Sequence, residues 1–197
     1  MSHVPGPDVP RPSGHGVKLT YDDFVLFPDD GKRHELIDGE HYVTPSPNTR
    51  HQRIVANLTG SLWSFLKENR LGEVLGAPLD VVFSDFDVVE PDVLFVSKER
   101  HAVLTAQNVT GAPDLVVEVG SPSTRRRDEL TKHRLYERFG VLEYWVVDPD
   151  VDTIKVYRLA EGCYSRASEL ALAAGDVLTS PLLPGLTLPL STIFSEP

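Results

Sequence analysis

Three residues of the 197-residue chain combine side-chain type and surroundings suited to metal-assisted chemistry: Asp92, Glu118 and Lys132. Glu118 lies in the run Leu115-Val116-Val117-Glu118-Val119, so apolar that a strand there is expected to be covered on both faces. Burying an isolated charge costs several kcal/mol, so Glu118 is protonated, paired with a base, or bound to a cation. Taken alone, an internal salt bridge explains it as well as a metal does. Asp92 belongs to a second Val-rich run, Val88 to Val96, directly after Pro91, which interrupts ladder pairing. Two adjacent strands could bring both carboxylates to one point. They would repel there unless a cation intervened, and Mg²⁺ accepts one or two protein carboxylates together with waters and phosphate oxygens. The plain alternative for Asp92 is a strand-edge acid.

Asp128, Lys132 and Tyr136 follow at i, i+4 spacing, hence on one face of a helix, with Leu135 and Phe139 beside them to turn that face inward. An ammonium from Lys132 could then reach the carboxylates and orient the attacking water or neutralise charge developing on a phosphoryl oxygen. The alternative is an Asp128–Lys132 surface pair worth only ~0.3–0.5 kcal/mol.

The elements that must position these residues are short. Thr20 caps a short helix containing Asp22, Asp23, Phe24 and Leu26, which Pro28 ends. His34 to Ile37 and Glu40 to Val43 form a β-hairpin about Asp38-Gly39, a pair suited to the positive φ angles of a type I′ turn. From about His51 to Asn69, Ile54, Val55, Leu58, Leu62, Phe65 and Leu66 recur at three- and four-residue intervals, the mark of an amphipathic helix. Leu79 to Phe83, Val88 to Val96 and Leu115 to Val119 read as strands of the sheet centre. Ser121-Pro122-Ser123 opens a helix through about Phe139 that Gly140 terminates, and two strands follow, Glu143 to Asp148 and Thr153 to Arg158, joined at Pro149-Asp150. Cys163 to Pro197 reads as strand and loop without a chemical signal.

Hydrophobic residues at 41% and charged residues at 24% are ordinary globular values, and no run approaches a membrane span. A chain of this length buries roughly 70% of its unfolded surface as one domain. Residues 1–17 hold four prolines and three glycines and are expected to form a flexible tail, with a single domain over 18–197. The start lacks the basic and apolar regions of a secretory leader, and the lone Cys163 excludes an internal disulfide, so the expected location is the cytoplasm. Nineteen Lys and Arg against 29 Asp and Glu leave a net charge of −10, the wrong sign for bulk attraction to nucleic acid. Carboxylates gathered around a divalent cation, with bases along one face, reconcile that total with a nuclease.

Taken together, Glu35-Leu36-Ile37-Asp38-Gly39-Glu40, Pro91-Asp92-Val93, Pro113-Asp114-Leu115-Val116-Val117-Glu118-Val119 with Ser121-Pro122-Ser123-Thr124, Lys132 with Tyr136, and Glu143-Tyr144-Trp145-Val146-Val147-Asp148 make a recognisable order. From about Tyr21 to Arg158 the chain resembles the Uma-two family of putative restriction endonucleases, within the PD-(D/E)XK nuclease superfamily. The resemblance implies an α/β fold with a mixed central sheet flanked by helices and an N-terminal β-hairpin. It also implies that Asp92 and Glu118 bind Mg²⁺ (or Mn²⁺), that Val119 adds its backbone carbonyl, and that Glu35 adds a carboxylate from the hairpin. The superfamily places its lysine two residues after the acid, where this chain has Gly120, so that role passes to Lys132. His51 matches a family histidine and is an accessory candidate, as is Tyr136; the bland reading of His51 is a helix-start residue.

Arg125, Arg126 and Arg127 form the only dense basic run and are candidate phosphate contacts, though a solvated helix face accounts for them equally well. The expected function is metal-dependent hydrolysis of DNA phosphodiester bonds, with a homodimer presenting two sites to two strands. The alternative is a non-catalytic interaction module that keeps a nuclease-like fold, its acids satisfied by internal bases. A serine hydrolase is disfavoured because Gly120-Ser121-Pro122-Ser123 is not a G-x-S-x-G elbow.

Overall fold

The computed structural model of the protein describes residues 17–28, 30–44, 46–120 and 125–196, with the backbone alone for 125–129. After α1 (Tyr21–Phe24) come the hairpin strands β1 (Arg33–Ile37) and β2 (Glu40–Thr44), then the long helix α2 (Thr49–Asn69). Next are β3 (Gly72–Gly76), β4 (Val81–Ser84), β5 (Asp87–Val89), β6 (Val93–Ser97), β7 (Val109–Thr110) and β8 (Leu115–Val119). Helix α3 (Arg125–Phe139) leads to β9 (Glu143–Asp148), β10 (Thr153–Ala160) and β11 (Cys163–Ala171), and the chain closes with β12 (Val177–Leu178), β13 (Leu188–Pro189) and α4 (Leu190–Ile193).

Two mixed sheets carry the architecture. The larger has six strands in the order β11-β10-β9-β8-β6-β3, and the smaller has five in the order β2-β1-β5-β4-β7. Within the larger sheet β8 and β9 run parallel, which requires the long crossover that α3 provides, while β6 pairs antiparallel with β8.

Alternation along the strands splits the interior in two. Val93, Phe95, Leu115, Val117, Val119, Trp145 and Val147 pack on one side against Ile54, Leu58, Leu62 and Leu66 of α2. Leu94, Val96, Val116, Tyr144 and Val146 pack on the other side with Leu135 and Tyr136 of α3. Each central strand is therefore apolar at nearly every position, as its sequence required. The C-terminal stretch joins the first side through Leu178, Leu183, Leu186, Leu188, Leu190, Ile193 and Phe194, so a segment without chemical signal proves to be core.

Local expectations mostly hold. The hairpin turn has φ +52° at Asp38 and +74° at Gly39, as a type I′ turn demands. Thr20 and Asp23 form the capping box of α1, although the helix ends at Phe24, before Pro28. Asn48 caps α2 by accepting from the His51 N–H at 2.9 Å. One expectation needs correction: Val88 to Val96 is not a single strand. Pro91 cannot donate to a ladder, and the chain leaves the five-stranded sheet after β5 and enters the six-stranded sheet at β6. Asp92 thus lies in the connection rather than on a strand. Strand β3, whose two glycines weaken its pattern, is an addition to the sequence reading. The capping residues Ser121, Pro122 and Ser123 lie outside the described residues. Among the described residues no helix is long and apolar enough to cross a membrane.

Candidate functional site

The site forms where the two sheets meet. Pairing of β6 with β8 sets Val93 opposite Val117 and Leu94 opposite Val116, which brings Asp92, the residue just before β6, to the end of β8, where the Val119 N–H meets it. Asp92 is 1% exposed, which rules out the strand-edge alternative. Its Oδ2 accepts from the Val119 N–H at 2.8 Å and lies 3.2 Å from His51 Nε2, while its Oδ1 accepts from Arg33 Nη1 at 2.6 Å. Burial works to raise the Asp92 carboxyl, but the hydrogen bond and charge from His51, then Arg33 and the Val119 N–H, outweigh it and hold it at about 2.

Glu118 occupies the position of β8 whose side chain faces away from α2, and α3 meets it there. Lys132 Nζ donates to Glu118 Oε1 at 2.9 Å and to Glu35 Oε1 at 2.8 Å, and the Tyr136 hydroxyl donates to Glu118 Oε1 at 2.6 Å. The i, i+4 spacing of Lys132 and Tyr136 thus delivers both donors to one carboxylate oxygen. Lys132 is 9% exposed, so it is no surface residue, and the side chain of Asp128 lies outside the described residues. Burial raises the Glu118 carboxyl; Lys132 and Tyr136 oppose this, Asp92 and Glu35 add to it, and the result is about 7. For Lys132 the attraction of Glu118 and Glu35 overcomes burial and holds the ammonium protonated well above its ordinary range.

The hairpin supplies the third wall. Alternation along β1 sends Arg33, Glu35 and Ile37 to the same face, Arg33 toward Asp92 and Glu35 toward Lys132. Glu35 Oε1 also accepts from the Glu90 N–H at 3.1 Å, which ties the hairpin to the β5–β6 connection. Glu90 lies beside Arg33, with its Oε2 3.9 Å from Arg33 Nε; burial first, then Asp80, raises its carboxyl.

All four residues expected to act are therefore brought together, with His51 and Tyr136 beside them. The resemblance assigned Val119 a carbonyl ligand, and the contact seen at that residue is its N–H to Asp92. Arg125, Arg126 and Arg127 open α3, but their side chains lie outside the described residues. His51 is both a first-turn residue of α2 and part of its inward stripe with Ile54, Leu58 and Leu62, and among the described residues its buried Nδ1 has no hydrogen-bond partner. Two members escaped the sequence reading, Arg33 and Glu90. Each stands two residues before a recognised acid, Glu35 and Asp92. On β1 the period-two rule was the available signal for Arg33; Glu90, in an irregular connection, carried none.

Among the described residues no group of three or more His, Cys, Asp or Glu is placed to hold a metal ion. The donor chemistry nonetheless suits Mg²⁺, which needs only one or two carboxylates plus waters. The charges agree: among the described residues, the carboxylates of Glu35, Glu90, Asp92 and Glu118 lie against two permanent cations, Arg33 and Lys132.

A search of curated proteins finds no match. A crystal structure titled as a putative nuclease belonging to DUF820, from Anabaena variabilis, superposes with a TM-score of 0.75 over 89% of this chain and 97% of that one. At 22% identity this likeness establishes the shared fold. The Uma2 family model, described as putative restriction endonuclease, matches residues 21–191, spanning both sheets and every residue of the site, and the chain belongs to that family.

Proposed function

We propose that the protein is an endonuclease that hydrolyses DNA phosphodiester bonds with Mg²⁺ (or Mn²⁺) held by Asp92 and Glu118. The observation that carries this reading is the charge imbalance. Four largely buried carboxylates, Glu35, Glu90, Asp92 and Glu118, face the permanent cations Arg33 and Lys132 among the described residues, an excess of acid that a divalent cation would relieve. Glu35 and the Val119 carbonyl are the further oxygen ligands of this reading. Bound there, the metal would supply Lewis-acid polarisation of the phosphoryl oxygen and a more acidic water.

The chain's own residues do the rest. Lys132 keeps an ammonium at the centre of the site, where charge grows on the phosphoryl oxygens, and Tyr136 fixes the orientation of Glu118. Arg125, Arg126 and Arg127 are the candidate phosphate contacts, and a two-fold dimer would set two sites on two strands. The test is plasmid cleavage in a divalent-metal series, with Mn²⁺ binding by calorimetry, for the wild type, Asp92→Ala and Glu118→Ala. Both substitutions are expected to abolish cleavage and binding; cleavage unchanged in both sinks the assignment.

One observation favours a second reading, an interaction module without catalysis. Both oxygens of Asp92 are already engaged by protein donors, so internal bases can satisfy this acid. A wild type that binds no divalent ion would select it.

A further inference from the structure

Arg33 holds the oxygen of Asp92 that is open to exchange. Oδ2 accepts from a backbone N–H fixed within β8 and faces the buried His51, whereas Oδ1 accepts from a guanidinium on a long stem. Asp92 has a side chain 2% exposed, but that of Arg33 is 23% exposed, so the arginine approaches from the solvent side. Its backbone is fixed opposite Thr44 in the hairpin, which leaves the side-chain torsions as its freedom. A second acceptor stands beside it: Arg33 Nε is 3.9 Å from Glu90 Oε2, beyond hydrogen-bond reach but close enough for a rotation to close.

A guanidinium and a divalent cation cannot both sit against one carboxylate oxygen, because like charges at such separations repel by several kcal/mol where water is scarce. With neither, the Oδ1 of Asp92 would be buried without a donor, since His51 and the Val119 N–H both engage Oδ2, and that too would be costly. We propose that Arg33 is a stand-in cation: it neutralises Asp92 while the site holds no metal, and moves to Glu90 when a divalent cation takes Oδ1. This rests on the metal site proposed above. The grip of Arg33 on Asp92 then sets the metal concentration at which the site fills. Glu90 acquires a role as the acceptor that keeps the displaced charge within the site, and the guanidinium ends on the solvent side, where its planar fork suits an incoming phosphate.

The test uses the full chain without DNA. Mn²⁺ binding is measured by calorimetry for the wild type, Arg33→Gln and Asp92→Ala, and the Arg33 Nε–Hε resonance of the wild type, assigned by its loss in the charge-conserving Arg33→Lys, is followed during Mg²⁺ titration. Arg33→Gln is expected to bind Mn²⁺ about tenfold or more tightly than the wild type, Asp92→Ala to lose binding, and the Arg33 resonance to shift as Mg²⁺ saturates. If the wild type binds Mn²⁺ through Asp92 while Arg33→Gln binds no tighter, Arg33 does not compete and the metal site stands without it. An Arg33 resonance unmoved by saturating Mg²⁺ overturns the proposal even where Arg33→Gln is too unstable to titrate. Failure of the wild type and Arg33→Gln alike to bind either ion overturns both the exchange and the metal site.

Discussion

Lys132 Nζ lies 2.9 Å from Glu118 Oε1 although fourteen residues and the start of a helix separate them. A lysine two residues after the acid on the same strand would point to the same face automatically. Here Gly120 holds that position, and the ammonium returns to the carboxylate because α3 crosses over the sheet between parallel strands. The same ammonium also holds Glu35, so one cation ties β1, β8 and α3 together.

Removal of that cation tests the pairing. Lys132→Met leaves Glu35 and Glu118 buried without their base, and is expected to cost about 3–5 kcal/mol at neutral pH in chelator, by urea denaturation. Cleavage should fall by roughly a hundredfold or more. Wild-type stability in this variant would contradict the geometry.

Glu118 makes stability depend on pH. Its carboxyl is raised from 4.5 to about 7 in the folded chain, chiefly by burial. A group raised on folding contributes stability that is complete below its unfolded value and is lost as pH rises through its folded value. In chelator the wild type should therefore lose stability relative to Glu118→Gln between about pH 5 and pH 8, by an amount on the order of a few kcal/mol. A difference between the two that stays flat across this range would show that Glu118 is ionised throughout.

The Tyr136 hydroxyl donates to Glu118 Oε1 at 2.6 Å and opposes the effect of burial on that acid. Tyr136→Phe should move the pH window just described upward and lower stability by about 1–2 kcal/mol. Coincident pH–stability curves for the variant and the wild type would mean that this hydrogen bond contributes nothing.

Gly39 positions the hairpin that carries Arg33 and Glu35. Its φ is +74°, and a Cβ there would lie 2.6 Å from the Lys18 Cβ. Gly39→Ala should cost about 1–2 kcal/mol, read as a lowered melting temperature, with weakened Mn²⁺ binding because both site residues of β1 move with the turn. An unchanged melting temperature would show that the turn relaxes freely.

What could be read along the chain was whatever depends on near neighbours. The Asp38-Gly39 turn, the stripe of α2 and the apolar runs of β8 and β9 follow from local sterics and periodicity, and each appears where its pattern stood. Asp92, Glu118 and Lys132 were visible for a related reason: a charge inside a greasy run of sequence, or on the inward face of a helix, is conspicuous against its neighbours. Partnership was not visible, because it depends on contacts between residues far apart in the chain. Arg33 looks like an ordinary hairpin arginine until β1 is laid against the β5–β6 connection, 59 residues away, and Asp92 proves to sit under it. The run from Val88 to Val96 read as one strand because hydrophobicity cannot reveal that its two halves belong to different sheets. That division places Glu90 and Asp92 at the junction and gives the site its crowding of charge.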